Sequence, residues 1–272
     1  MIKIIGHKSP DTDSTGSPII WAWYKKTICG VQAQPKLLGE PNPEARFVLD
    51  YWQFEKPEII SQVSDTDQLI IVDTNNPAEL PANVNEAKIL EIIDHHLLVG
   101  GLKTNTPLTM TIRPLACTAT VMHELMGDAA KKMPDKIKGL MLSCILSDTL
   151  EFRSPTTTEL DKTVAQDLAL ELKLDIPTYA SKMFDAKSDE IVKIYSEAFP
   201  NEKARIVKHN RKLLMKNSVF AALLSPQGKY LFDFFVIKND EGYLLDCDGS
   251  SVKEPVSYTH LRAHETVLDL VC

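Results

Sequence analysis

The chain opens with IKIIGHKSPDTDS over residues 2–14, a short isoleucine-rich run that breaks at Gly6 and is followed at once by His7, Asp11 and Asp13. A brief run of β-branched residues reads as a buried strand. Gly6 and Pro10 keep the segment after the strand out of a helix, so His7, Asp11 and Asp13 are expected to point into one shared site. The arrangement recurs further along: Leu69 to Val72 is closed by Asp73, and Ile89 to Ile93 by Asp94-His95-His96. Each strand thus ends in side chains able to bind a metal.

Between and beyond these runs, amphipathic stretches read as helices over roughly residues 17–27, 44–54, 118–126, 136–146 and 158–172. Pro43 at the second and Thr157 or Thr158 ahead of Glu159 are suitable helix starts, and Pro155 and Pro177 mark breaks. Strands alternating with helices predict an α/β fold, a parallel Rossmann-like sheet flanked by helices. In such a sheet ligands bind beyond the carboxyl ends of the strands, where the histidines and aspartates fall.

At 272 residues the chain is expected to hold two domains. The first is placed at 1–187 and carries the metal-capable residues. A linker is placed near 186–190, and a smaller α/β domain at 191–256, with strands at 219–224 and 230–237 and a turn at 239–242. The segment SYTHLRAHETVLDLVC, Ser257 to Cys272, does not continue this pattern and is expected to be a non-native tail. His260 and His264 within it have helical i, i+4 spacing but no Glu or Cys to complete a ligand set.

Apolar residues make up 44% and charged residues 25%, an ordinary globular balance that excludes collagen-like, disordered and disulfide-dense classes. Thirty basic against 37 acidic side chains leave a net charge of −7. That charge disfavours nucleic acid and anionic membranes, and any anionic substrate needs a local cationic site. No apolar run approaches the roughly 18 residues of a membrane span, and the first strand turns polar too soon for a signal peptide. The five cysteines are an odd count without a CxxC pair. A cytoplasmic, reducing setting is therefore expected.

Taken singly, the polar residues have ordinary readings: Asp13 or Ser14 suits a helix cap, and Asp73 an Asx-turn. Asp148 is harder to dismiss. It follows an almost wholly apolar stretch from Ile137, where a carboxylate is costly unless paired or bound to metal. Asp11, Asp13, Asp73 and Asp148 with His7 and His95 form a donor set suited to Mn²⁺ and related first-row ions. Four negative charges match two divalent cations, which in such sites sit about 3.5–4 Å apart. Such a pair would acidify a bridging water towards pKa ~7 and clamp the oxygens of an in-line phosphoryl displacement. His96, pointing elsewhere, could contact a phosphate or act as general acid.

The set His7-x3-Asp11-x-Asp13-Ser14, Val72-Asp73, Asp94-His95-His96 and Ser147-Asp148-Thr149 resembles the signatures of the DHH phosphoesterase superfamily. Arg113-Pro114 with Thr118-Ala119-Thr120, and Phe152-Arg153-Ser154-Pro155-Thr156, are similar to the family II, manganese-dependent inorganic pyrophosphatases in particular. The resemblance covers roughly residues 1–187. It implies that His7 and Asp11 hold one metal, that Asp13, His95 and Asp148 hold the other, and that Asp73 bridges them. His96 would contact substrate, and Asp94 would orient the histidines. The implied cofactor is a pair of Mn²⁺ ions, with Co²⁺ or Mg²⁺ as substitutes and Mg²⁺ arriving with the substrate. The implied substrate is inorganic pyrophosphate, and the implied assembly a homodimer.

Two departures stand out. The family often has His after the bridging aspartate, where this chain has Thr74, which is expected to tune the site. The family's Ser-Arg-Lys-Lys motif, which grips pyrophosphate from the second domain, does not occur here. The chain is therefore expected to be truncated, its second domain incomplete and its turnover impaired. Lys203 or Lys208, in a basic stretch that also reads as a solvated helix face, is the nearest candidate substrate contact. The rival readings are a short-chain polyphosphatase or other DHH phosphodiesterase, and an inactive metal-binding module.

Overall fold

The computed structural model describes residues 1–186 and three later strands at 218–224, 230–239 and 242–247. The linker at 186–190 beyond its first residue, Lys203, Lys208, His260, His264 and the whole segment 257–272 lie outside the described residues. The chain divides into two compact units, residues 1–187 and 188–272.

In the first unit, β1 (Ile2–Ile5), β2 (Ala33–Lys36), β3 (Gln68–Val72), β4 (Lys88–Asp94) and β5 (Thr109–Ile112) form one sheet in the order β2-β1-β3-β4-β5. Every pairing is parallel. The helices are α1 (Thr12–Thr27), α2 (Pro43–Tyr51), α3 (Thr118–Met126), α4 (Asp135–Asp148) and α5 (Glu159–Leu172), and residues 176–186 are also helical. This is the expected parallel α/β sheet flanked by helices. After β1 the chain adds β2 on one side, then crosses back to add β3 on the other. Connections leaving β1 and β3 therefore diverge and open a crevice at the carboxyl ends of those strands.

Successive strand residues face opposite sides of a sheet, and both sides here are covered. Ile4, Ile70, Val72 and Ile93 join Ile20, Val48, Met122, Leu140 and Ile145 of the helices in one core. Ile5, Leu69, Ile71, Ile89 and Ile92 join Val63, Leu80, Val84 and Ala87 of the connecting segments in a second. Burial on both faces explains why these strands read as apolar runs, broken at Lys3 and Glu91, which pair with Asp67 and Lys25.

Several boundaries differ from expectation. α1 starts at Thr12 rather than near 17, because the Asp11 side chain caps it by accepting from the Ser14 N–H. Gly16 and Pro18 hide this start, since both discourage helix in isolation. Only residues 6–11 escape the helix, so Asp13 sits in its first turn. α4 runs on to Asp148 itself. Pro177 does not end a helix but stands in the first turn of the stretch at 176–186. The short outer strands β2 and β5 were not foreseen; a four-residue edge strand carrying Pro35, or half-exposed Met110, lacks the apolar density of a central one.

In the second unit, β6 (Ser218–Leu224), β7 (Tyr230–Asn239) and β8 (Gly242–Cys247) form an antiparallel sheet in the order β6-β7-β8. The first two correspond to the strands expected there, and the third comes after the expected turn. No helix among the described residues is long and apolar enough to cross a membrane.

Candidate metal centre

The loop leaving β1 is held by close backbone contact. The His7 N–H donates to Ser14 Oγ at 2.8 Å, and a Cβ on Gly6 would lie 2.1 Å from that oxygen. Only glycine permits this approach. His7 Nε2 is thereby aimed into the crevice, 3.7 Å from Asp11 Oδ2 and 3.5 Å from Asp73 Oδ2.

Asp73 occupies the centre. It follows β3 with a left-handed φ of 61° and is almost wholly buried. Aspartate tolerates this backbone region better than most side chains, and such strain concentrates at functional sites. The turn directs its two oxygens differently: Oδ2 faces His7, while Oδ1 lies 3.4 Å from His95 Nε2 and 3.9 Å from His96 Nδ1. Thr118 Oγ1 donates to Oδ1 at 3.0 Å.

The two histidines after β4 are oriented by different partners. His95 donates from Nδ1 to the Leu115 carbonyl at 3.1 Å, which leaves Nε2 for Asp73. His96 donates from Nδ1 to Asp94 Oδ1 at 2.9 Å, and the same oxygen accepts the backbone N–H groups of both His95 and His96. Asp94 is fully buried, and its other oxygen accepts from Asn75 at 2.6 Å. Thr74, in the position the family often gives to His, turns away and donates to Glu79 at 2.6 Å.

A third group lies between helix termini. Asp13 accepts from Ser17 Oγ at 2.5 Å and from the Thr118 N–H at 2.6 Å, so it serves as an external cap for α3, whose own cap residue Cys117 makes no side-chain capping bond. Asp148, at the end of α4, stands beside Asp13. Its Oδ2 is sealed from solvent without any hydrogen-bond partner. Donor atoms of Asp13, Cys117 and Asp148 lie within 4.8 Å of one another, as do those of His7, Asp11 and Asp73, and of Asp73, His95 and His96. Asp73 belongs to two of these groups. His95 falls in the group with Asp73 and His96, while Asp13 and Asp148 have Cys117 as their third member.

Electrostatics favour cations throughout. Burial, then the charges of Asp13, Asp73 and Asp11, drives the Asp148 carboxyl well above the usual carboxylate range. Burial, then Asp13 and Asp11, does the same to Asp73 against the pull of His7 and His96. Asp11 is lowered instead: burial works against its charge, but the facing His7 ring and the Ser14 N–H outweigh it. His96 is raised, chiefly by its bond to Asp94; His7 is raised by Asp11 and Asp73 despite its burial. Without a cation such a cluster keeps its proximity only by retaining protons. An orphaned buried carboxylate oxygen and a set of hard oxygen and imidazole donors together fit divalent metal.

All of His7, Asp11, Asp13, Asp73, His95, His96 and Asp148 thus border the carboxyl edge of the sheet or the helix ends beside it. Reading the sequence assigned no site role to Thr118, Cys117, Asn75 or Glu44. Thr118 was legible as the residue opening a helix and as part of the Thr118-Ala119-Thr120 motif, but nothing in the chain announces which carboxylates it meets.

The chain matches the DHH family, N-terminal domain, over residues 1–147. A probable manganese-dependent inorganic pyrophosphatase of Bacillus cereus is 32% identical over 98% of this chain and 93% of its own length. Another, from a different strain of that organism, is 36% identical over 69% of this chain and 60% of its own. The chain thus spans about 60% of the length of the relatives it matches at that level. A solved structure, a putative family II inorganic pyrophosphatase of Methanococcus jannaschii, is similar with a TM-score of 0.62 and 35% identity, covering 68% of this chain and 61% of that one.

Proposed function

We propose, on the premise that this chain belongs to the DHH family and, within it, to the manganese-dependent inorganic pyrophosphatases, that it hydrolyses inorganic pyrophosphate to two orthophosphates. The observation that carries the reading is Asp73, which turns one oxygen towards His7 and the other towards His95, as a carboxylate bridging two ions must.

In this reading His7 and Asp11 would hold one Mn²⁺, Asp13, His95 and Asp148 the other, with Asp73 shared; Co²⁺ or Mg²⁺ would serve as substitutes. Two such cations supply charge that polarises phosphoryl oxygens and acidifies a water towards pKa ~7. The protein's own part is orientation and proton supply. Asp94 pins His96 through Nδ1, leaving its Nε2 to face a phosphate. The same contact raises the His96 pKa in the metal-free chain, and the ring is the group placed to give a proton to the leaving oxygen. The carboxylate cluster repels pyrophosphate until cations load, so metal must precede substrate. Lys203, proposed from the sequence as a substrate contact, belongs to the residues assigned to the second domain. A cytoplasmic setting and a homodimer form part of the same proposal, resting on composition and resemblance.

The test is phosphate release by the Mn²⁺-reconstituted full chain from pyrophosphate, tripolyphosphate and a dinucleotide. Hydrolysis of pyrophosphate is the expected result; cleavage of the latter two alone assigns another DHH phosphoesterase activity, and no release at all refutes the reading.

A further inference from the structure

Glu44 is a buried carboxylate that the proposed chemistry leaves unused. It lies in the first turn of α2 and is only 3% exposed. One of its oxygens, Oε1, accepts from two hydroxyls on different elements: Thr12 Oγ1 at 2.6 Å and Ser147 Oγ at 2.5 Å. Thr12 stands between Asp11 and Asp13, and Ser147 immediately precedes Asp148. A single oxygen therefore joins the start of α1 to the end of α4, the two places where candidate ligands from opposite ends of the sequence must meet.

Packing alone settles the middle of this helix pair. A Cβ on Gly16 would come within 2.4 Å of Cys144 Sγ, and Cys144 donates to the Thr12 carbonyl at 3.4 Å. It does not settle the helix termini, where backbone groups lack partners and fraying is easiest. Two hydroxyls converging on one atom call for an acceptor with several lone pairs. Burying a polar group is costly, so a residue serving only to fill space would be apolar here.

We propose that Glu44 is a positioning residue of the metal centre, setting the distance between the Asp11–Asp13 turn and Asp148 through Thr12 and Ser147. The proposal rests on the metal-site reading above but not on the identity of the substrate. Metal coordination tolerates only about ±0.2 Å in ligand distance, so loosening this tie shows in ion affinity as well as in folding.

The experiment is Mn²⁺ titration of the full chain, monitored by the paramagnetic resonance signal of free Mn²⁺, with circular dichroism confirming that each variant is folded. Glu44→Ala should weaken Mn²⁺ affinity by about 10–100-fold. Glu44→Gln keeps a carbonyl acceptor and should recover most of it, whereas Glu44→Met, which fills the same space without an acceptor, should not. Ser147→Ala and Thr12→Val each remove one donor and carry the test should Glu44→Ala not fold. Ser147→Ala should add little once Glu44 is already Ala. Folded variants with unaltered Mn²⁺ affinity, or losses from Ser147 and Glu44 that simply add, would overturn the proposal. An unaltered chain that binds Mn²⁺ in a Glu44-dependent manner yet releases no phosphate from pyrophosphate supports it while refuting the proposed function.

Discussion

Replacing Asp148 with Asn should stabilise the metal-free chain and weaken the stabilisation that metal confers. Burial and the charges of Asp13, Asp73 and Asp11 raise the Asp148 pKa, and Asp73 is raised by the same kind of surroundings. An acid whose folded pKa exceeds its unfolded value, near 3.8, binds more protons folded than unfolded, so stability falls as pH rises from that value through the folded pKa. The two carboxyls titrate together, so we count one extra proton for the pair, or a slope of up to ~1.4 kcal/mol per pH unit. In a unit this size, roughly 3–6 °C of melting temperature should be lost per pH unit. His7 and His96, raised above 6.5, act with the same sign: their stabilisation is complete below 6.5 and is lost as pH climbs through their folded values. Asp11 and Asp94 are lowered; what they contribute is lost only as pH falls below about 3.8, outside a window of about pH 5–8. Scanning calorimetry of the chelator-treated chain across that window should show a falling melting temperature. In the Asn variant the fall should be shallower and the value at pH 8 higher. Added Mn²⁺ should stabilise the unaltered chain more, because metal takes the ionised carboxylates. A flat or rising profile for the metal-free chain, or a lower melting temperature for the variant at pH 8, would refute the reasoning.

Other substitutions probe single contacts. Asp73→Asn keeps a side chain that tolerates the φ of 61°, so the fold should survive while Mn²⁺ content or affinity drops about 10–100-fold; unchanged metal after dialysis contradicts the bridging role. Thr118→Val removes the hydroxyl that meets Asp73 but spares the N–H that meets Asp13, and about 10-fold weaker Mn²⁺ binding, restored by Thr118→Ser, is expected from metal titration. His96 is half-exposed, so His96→Gln should leave metal content intact while slowing phosphate release by about 10²–10⁴-fold; a preserved rate would rule it out as general acid.

Much of the fold was legible because its signals are local. Ile2–Ile5, Leu69–Val72 and Ile89–Ile93 are sheet-centre strands buried on both faces, and such strands are mostly apolar, Lys3 and Glu91 being the exceptions here. Edge strands β2 and β5 lack that density and passed unseen. The start of α1 was misplaced because Gly16 and Pro18 argue against helix locally, whereas the Asp11 cap and the packing of Gly16 on α4 decide for it.

What the order of residues determined unaided was the set of donors at strand and helix ends, since a polar side chain closing an apolar run is visible within a few positions. Tertiary structure alone decided how they are held. Thr118 reaches Asp13 across 105 positions and Ser147 reaches Glu44 across 103, and the side-chain direction of Asp73 depends on one backbone angle. Hydrogen bonds act over about 3 Å, and no periodicity or composition carries that distance between residues so far apart in the chain.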